Sequence, residues 1–217
     1  MKVPVLSRDG TPLGETSVSV AGKESAPTVV LAHGAGGTMD TPSLVSLQKS
    51  LAEEGITAVR FNFLYTENKK RTPDKPATLV DTWRSVAEWV RSELRPTKLF
   101  LGGRSMGGRM ASHLVSEGYP CDGLVFLAYP LHPPGKRDRQ RKDHLPEIRV
   151  PMLFVSGTKD SFADLDLLEP LVATLRAKLH LIEGADHGHK VPKKYGKTAA
   201  EVEAEVVRAV LELVKGR

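Results

Sequence analysis

Thr97-Lys98-Leu99-Phe100-Leu101-Gly102-Gly103-Arg104-Ser105-Met106-Gly107-Gly108-Arg109-Met110-Ala111-Ser112-His113-Leu114-Val115-Ser116-Glu117 decides how the chain is read. Leu99 to Leu101 is a short apolar run, the mark of a buried strand. Met110, Ala111, Leu114 and Val115 then recur at helical spacing. Between them four glycines, Gly102, Gly103, Gly107 and Gly108, bracket one serine. Strand, tight turn and helix in that order, with Gly103-Arg104-Ser105-Met106-Gly107 as G-x-S-x-G, predict a serine on a strained turn. Its hydroxyl would stand above the sheet edge at a helix N-terminus, where backbone N–H groups are free. A phosphate-binding turn is the competing use of such glycines, but neither G-x-x-x-x-G-K-[ST] nor G-x-G-x-x-G is present.

The flanking sequence repeats the alternation. Residues 28–32, 57–61, 123–128, 151–156 and 179–183 are short apolar or β-branched runs. Helical patterns are predicted from Thr41-Pro42 to Gly55, over Asp81 to Leu94, over Leu165 to Leu175 and over Glu201 to Val214. Strands alternating with helices predict an α/β fold, a mostly parallel sheet of about six to eight strands covered on both faces. Residues 2–6 and 16–20, joined by a turn-like stretch, predict an antiparallel hairpin at the sheet edge. Asn62 to Ala77 is expected to be a surface excursion. Tyr129 to Pro146, rich in charge and proline, is expected to be another, too short for a substantial cap domain. Val80, Trp83, Val86, Ala87 and Val90 mark one buried helix face, with Trp89 partly buried. No interdomain linker is visible, so residues 1–217 are expected to form a single domain.

Composition narrows the function. A chain of 217 residues can bury a sizeable core. Its single cysteine, Cys121, excludes an internal disulfide framework and suits a reducing, cytoplasmic setting; it reads as a small structural residue. The N-terminus lacks the apolar core of a signal peptide, and no run is long enough to span a bilayer. Net charge is +5, but the basic residues are interspersed with acids and no recognition motif accompanies them, so neither nucleic acid nor membrane is an expected partner. No Cys/His spacing suits a metal, and no cofactor is implied.

Three reactive positions fall at the ends of three predicted strands: Ser105, Asp160 and His187. Open α/β sheets gather ligands at that edge. A serine hydroxyl needs a base within reach, and the base needs an acid to fix its tautomer. Asp164 and Asp166 are rival acids, nearer or within the following helix, and Asp160 could instead cap that helix. His189 is the rival base. His132 and His144 are expected on solvated surface, and His33 is expected to shape its loop. Arg104 and Arg109 flank the turn; one of them is expected to line the site or brace the turn against a carboxylate, with a structural ion pair as the alternative. His33-Gly34-Ala35-Gly36-Gly37-Thr38 follows a buried strand, where glycines let backbone N–H groups approach a ligand.

The motifs His33-Gly34-Ala35-Gly36-Gly37, Gly103-Arg104-Ser105-Met106-Gly107, Gly157-Thr158-Lys159-Asp160 and Gly184-Ala185-Asp186-His187 resemble the α/β-hydrolase superfamily over nearly the whole chain. Gly102 to Arg109 and Tyr129 to Lys136 resemble, more narrowly, a dienelactone-hydrolase-like branch. That branch also holds a testis-expressed protein and a subunit of a nuclear histone-acetylation complex. The resemblance implies Ser105 as nucleophile, His187 as general base and acid, and Asp160 as orienting acid. It implies an oxyanion hole from the backbone N–H groups of Met106 and Ala35. The function expected is a serine hydrolase acting on a small carboxylic ester or thioester, as a monomer or homodimer. A hydrolase-fold interaction module and an acyltransferase are the alternatives.

Overall fold

The computed structural model describes residues 1–216. Eight strands form one sheet in the order β1-β2-β4-β3-β5-β6-β7-β8. They are β1 (Lys2–Leu6), β2 (Pro12–Ala21), β3 (Thr28–Ala32), β4 (Thr57–Phe61), β5 (Leu99–Arg104), β6 (Gly123–Leu127), β7 (Met152–Gly157) and β8 (Lys178–Ile182). β1 and β2 pair antiparallel, and β2 runs antiparallel to β4. Every pairing from β4 to β8 is parallel. The expected hairpin is present, but β2 starts at Pro12. Pro12 is the first residue of β2 and lies outside the Val18–Ala21 stretch that pairs with β4, a position that tolerates the missing N–H of proline.

β3, β4 and β6 are buried at all five of their positions, as the apolar runs require of strands covered on both faces. One cover is α3 (Pro76–Leu94), α4 (Met106–Ser116) and α5 (Leu165–Thr174), which share a core with Val30, Leu101, Phe126 and Phe154. The other is α1 (Pro42–Glu53) and α6 (Ala199–Lys215), packed on Val29, Leu31, Val125 and Val155. Alternate residues of each strand thus feed opposite faces. Pro42 opens α1 at its first turn, and a Thr198–Glu201 capping box starts α6. The fold is that of the α/β hydrolases, and no cap domain stands over the sheet edge. The connection between β6 and β7 holds only a three-residue 3-10 turn, Leu145–Glu147.

Two surface expectations hold only in part. The segment after β4 is exposed or half-buried from Thr66 to Ala77, but Phe63, Leu64 and Tyr65 before it are buried, α2 (Leu64–Glu67) forms there, and α3 begins at Pro76. Phe61, Phe63 and Tyr65 were available as an aromatic signal; Phe63 packs edge-on to Phe61 and stacks with Tyr65. The connection after β6 likewise buries Tyr129, Leu131, His132 and Leu145. Its charges face outward while its apolar residues seal the ends of β6 and β7. Among the described residues no helix is long and apolar enough to cross a membrane.

Candidate active site

Ser105 lies between β5 and α4 with φ 49° and ψ −116°, a conformation a side chain rarely adopts and that costs on the order of 1–3 kcal/mol. Close packing on both sides enforces it. A Cβ on Gly103, itself at φ 136°, would collide with the carbonyl of Ala32, and one on Gly107 would lie 2.5 Å from the same oxygen. The Ser105 N–H donates to Leu127 O at 2.9 Å, and the Trp83 indole N–H to Gly107 O at 3.0 Å. Strand β3, strand β6 and helix α3 therefore all hold the turn.

Three side chains far apart in sequence meet there. The Ser105 hydroxyl donates to Nε2 of His187 at 2.9 Å. His187 Nδ1 lies 2.9 Å from each carboxylate oxygen of Asp160. The network assigns the Nδ1–H tautomer, leaving Nε2 free to accept. Asp160 is fully buried at its side chain, whereas His187 remains 23% exposed. The Phe162 N–H donates to Asp160 Oδ1 at 2.8 Å, and the Phe162 ring stacks on the imidazole at 4.2 Å. Asp160 does not cap α5; Asp164 occupies that position, and Arg137 pairs with Asp164 and Asp166. His189 lies in the same loop but makes no such contact. Burial and the Arg104 guanidinium lower its pKa to about 4.

The glycine loop after β3 runs alongside. A Cβ built on Gly34 would lie 3.4 Å from that of Ser105. His33 fixes the loop. Its Nδ1 donates to Gly34 O at 2.8 Å, and its Nε2 accepts the Phe63 N–H at 3.2 Å. Burial pushes its pKa down, so the ring is neutral. The N–H of Met106 belongs to the first turn of α4, which has no intrahelical acceptor for it. The Ala35 N–H stands two residues beyond the anchored His33, in the loop that runs past Ser105.

The arginines depart from expectation. Neither Arg104 nor Arg109 makes an ion pair among the described residues. Arg104 is half-buried and donates through Nη2 to the main-chain carbonyl of His187, tying the histidine loop to the turn. Asp160 and Asp186 act on it only at longer range, and burial lowers its pKa. Arg109 sits half-buried with a sealed, unbonded Nε. His132 and His144 are not solvated. His132 is fully buried, and its Nε2 accepts the Asp164 N–H at 3.2 Å. Its own N–H donates to Phe162 O, so it supports the loop that carries Asp160. His144 stacks on His113 at 3.7 Å and bonds Ser112 at 2.7 Å. Short apolar spacing around these histidines was the only sequence signal, and the surrounding charge obscured it. Among the described residues no three His, Cys, Asp or Glu side chains cluster to hold a metal ion.

A strand–turn–helix serine backed by histidine and a buried carboxylate, at the C-terminal edge of this sheet, defines the α/β-hydrolase class. An alpha/beta hydrolase domain model matches residues 25–215, and the chain belongs to that family. A curated relative, lysophosphatidylserine lipase ABHD12 of Danio rerio, is 26% identical over 108 residues, 48% of this chain. That match spans 28% of the relative's own length. Among solved structures, a protein of unknown function from Agrobacterium tumefaciens superposes with a TM-score of 0.77 at 22% identity, covering 100% of this chain and 98% of that one. An a/b serine hydrolase without lid from Xanthomonas campestris gives 0.70 at 22% identity, covering 100% and 94%. A dienelactone hydrolase from Anabaena variabilis gives 0.72 at 16%, covering 100% and 97%. These likenesses establish the fold.

Proposed function

We propose that the protein is a serine hydrolase that cleaves a small carboxylic ester or thioester through an acyl-enzyme. The observation that carries this reading is the continuous chain from Ser105 Oγ to His187 Nε2 and from His187 Nδ1 to Asp160, each link 2.9 Å. A serine hydroxyl is a weak nucleophile until a base takes its proton. His187 accepts that proton as Ser105 attacks the carbonyl carbon, and Asp160 stabilises the imidazolium. The negative charge that develops on the carbonyl oxygen falls to the N–H groups of Met106 and Ala35. One such donor contributes roughly 3 kcal/mol to lowering the barrier. The imidazolium then protonates the leaving alcohol or thiol, and water repeats the sequence to release the acid.

An ester or thioester suits this site better than an amide, because its leaving group needs less help from the acid. The absence of a cap over the sheet edge favours small or extended substrates. The chain acts as one hydrolase domain in this reading, as a monomer or homodimer. The half-buried lone thiol of Cys121 favours the cytoplasm as its compartment. A fluorophosphonate probe tests the reading: the wild type labels and Ser105→Ala does not. Labelling that survives the substitution removes Ser105 from the role. No labelling of a folded wild type points to an interaction module.

A further inference from the structure

A cavity of about 630 Å³ lies on the α1/α6 side of the sheet, behind the histidine loop. Its size falls within the roughly 300–1,000 Å³ of small-molecule sites. Neither Ser105 nor His187 lines it. Leu47, Leu127, Val191, Val202 and Val206 make its walls, and Arg104, Lys190 and Lys197 bring cations to it. Lys197 is neutralised by Glu205 at 2.6 Å. Glu203 is the acid in the lining, and Ser46 hydrogen bonds to it. Neither Arg104 nor Lys190 makes an ion pair among the described residues, and of the two only Arg104 is half-buried. A half-buried guanidinium has five N–H donors, and among the described residues its one acceptor is the His187 carbonyl. Taking a cation out of water is costly unless an anion bonds it directly, and Asp160 and Asp186 act on Arg104 only from beyond bonding distance. The remaining donors border a space with apolar walls.

We infer that this cavity is a binding site for an amphipathic carboxylate: the carboxylate on Arg104 with Lys190 beside it, the hydrocarbon body between α1 and α6. A carboxylate matches the guanidinium fork with two parallel hydrogen bonds. The site is distinct from the one proposed at Ser105 and does not require turnover there. Because Arg104 also holds the His187 carbonyl, a bound acid competes for the group that ties the histidine loop to the turn.

Calorimetric titration of the full chain with sodium decanoate, below its micelle concentration, tests this, with decanol as the uncharged comparison. Decanoate is expected to bind at least about tenfold more tightly than decanol. Ala199→Trp, at an exposed position on the lining, obstructs the cavity and is expected to abolish binding. Lys190→Glu, also exposed, and Arg104→Met are each expected to weaken it about tenfold. The two exposed variants keep the test decisive if Arg104→Met does not fold. Arg137→Ala, on the far side of the sheet edge, leaves binding unchanged. No decanoate binding, equal binding of decanol, or binding that Ala199→Trp leaves intact overturns the inference.

Discussion

Asp160→Asn isolates the electrostatic part of the proposed mechanism. The aspartate is fully buried at its side chain, and both its oxygens lie 2.9 Å from His187 Nδ1. One oxygen already accepts the Phe162 N–H at 2.8 Å. An asparagine keeps its carbonyl oxygen on Phe162 and so turns its NH₂ toward the imidazole. Nδ1 must then accept, the proton moves to Nε2, and Nε2 can no longer take the proton of Ser105. The packing is unchanged, so the protein folds and binds as before. In serine–histidine–aspartate enzymes the loss is about four powers of ten in kcat, or about 5.4 kcal/mol of barrier. The assay is p-nitrophenyl ester hydrolysis across substrate concentration, with thermal unfolding as a control. The expectation is a collapse in kcat with KM little altered. A variant within about tenfold of wild type refutes the assignment of Asp160 and reopens the roles of Asp164 and Asp166.

Other outcomes follow from separate parts of the molecule. Gly107→Ala forces a Cβ to 2.5 Å from the Ala32 carbonyl, a backbone atom that cannot swing aside; a loss of about 3 kcal/mol or failure to fold is expected in urea unfolding. His33→Ala strands the buried Phe63 N–H and loosens the loop carrying Ala35; the cost is about 1–3 kcal/mol of stability, with a fall in kcat larger than the change in KM. The pKa of His144 is lowered from 6.5 to about 4 by burial, with His113 and Arg109 adding to the effect. The unfolded chain then binds more protons than the native one between those values, so stability rises with pH across that window and levels off above it. His144→Gln should reduce that slope in urea unfolding between pH 4.5 and 7, leaving the share of His189, whose pKa is also lowered to about 4. Burial pushes the Cys121 thiol up to about 11. It should react with Ellman's reagent only slowly until the chain is unfolded.

The parts legible in the sequence were those whose pattern is local. The fully apolar runs of β3 and β6 have one outcome in a layered fold, burial on both faces. The glycines around Ser105 likewise announce a turn that excludes side chains. The convergence of Ser105, Asp160 and His187 was reachable because each follows a strand, and parallel strands end at one edge. What failed depended on contacts between distant segments. Phe63 to Tyr65 are buried because the β3 loop needs a floor, and the aromatic spacing of Phe61, Phe63 and Tyr65 that signals it is masked by Lys69, Lys70 and Arg71 just beyond. His132 is buried to hold the Asp160 loop, a role visible only when Asp164 and Phe162 are in place. Gln48 is buried on α1 because Arg60 donates to it at 2.8 Å, a polar pair that period counting cannot anticipate. The helix starts at Pro76 and Ala199 were missed by a few residues, since proline and alanine carry no apolar period of their own.

Acid quenching of p-nitrophenyl ester turnover, followed by peptide mapping of the protein, reads the central claim directly. The account predicts an acyl group on Ser105, absent in Ser105→Ala and slow to form in His187→Ala. Turnover with no acylated protein, or an acyl group carried by any other residue, contradicts it.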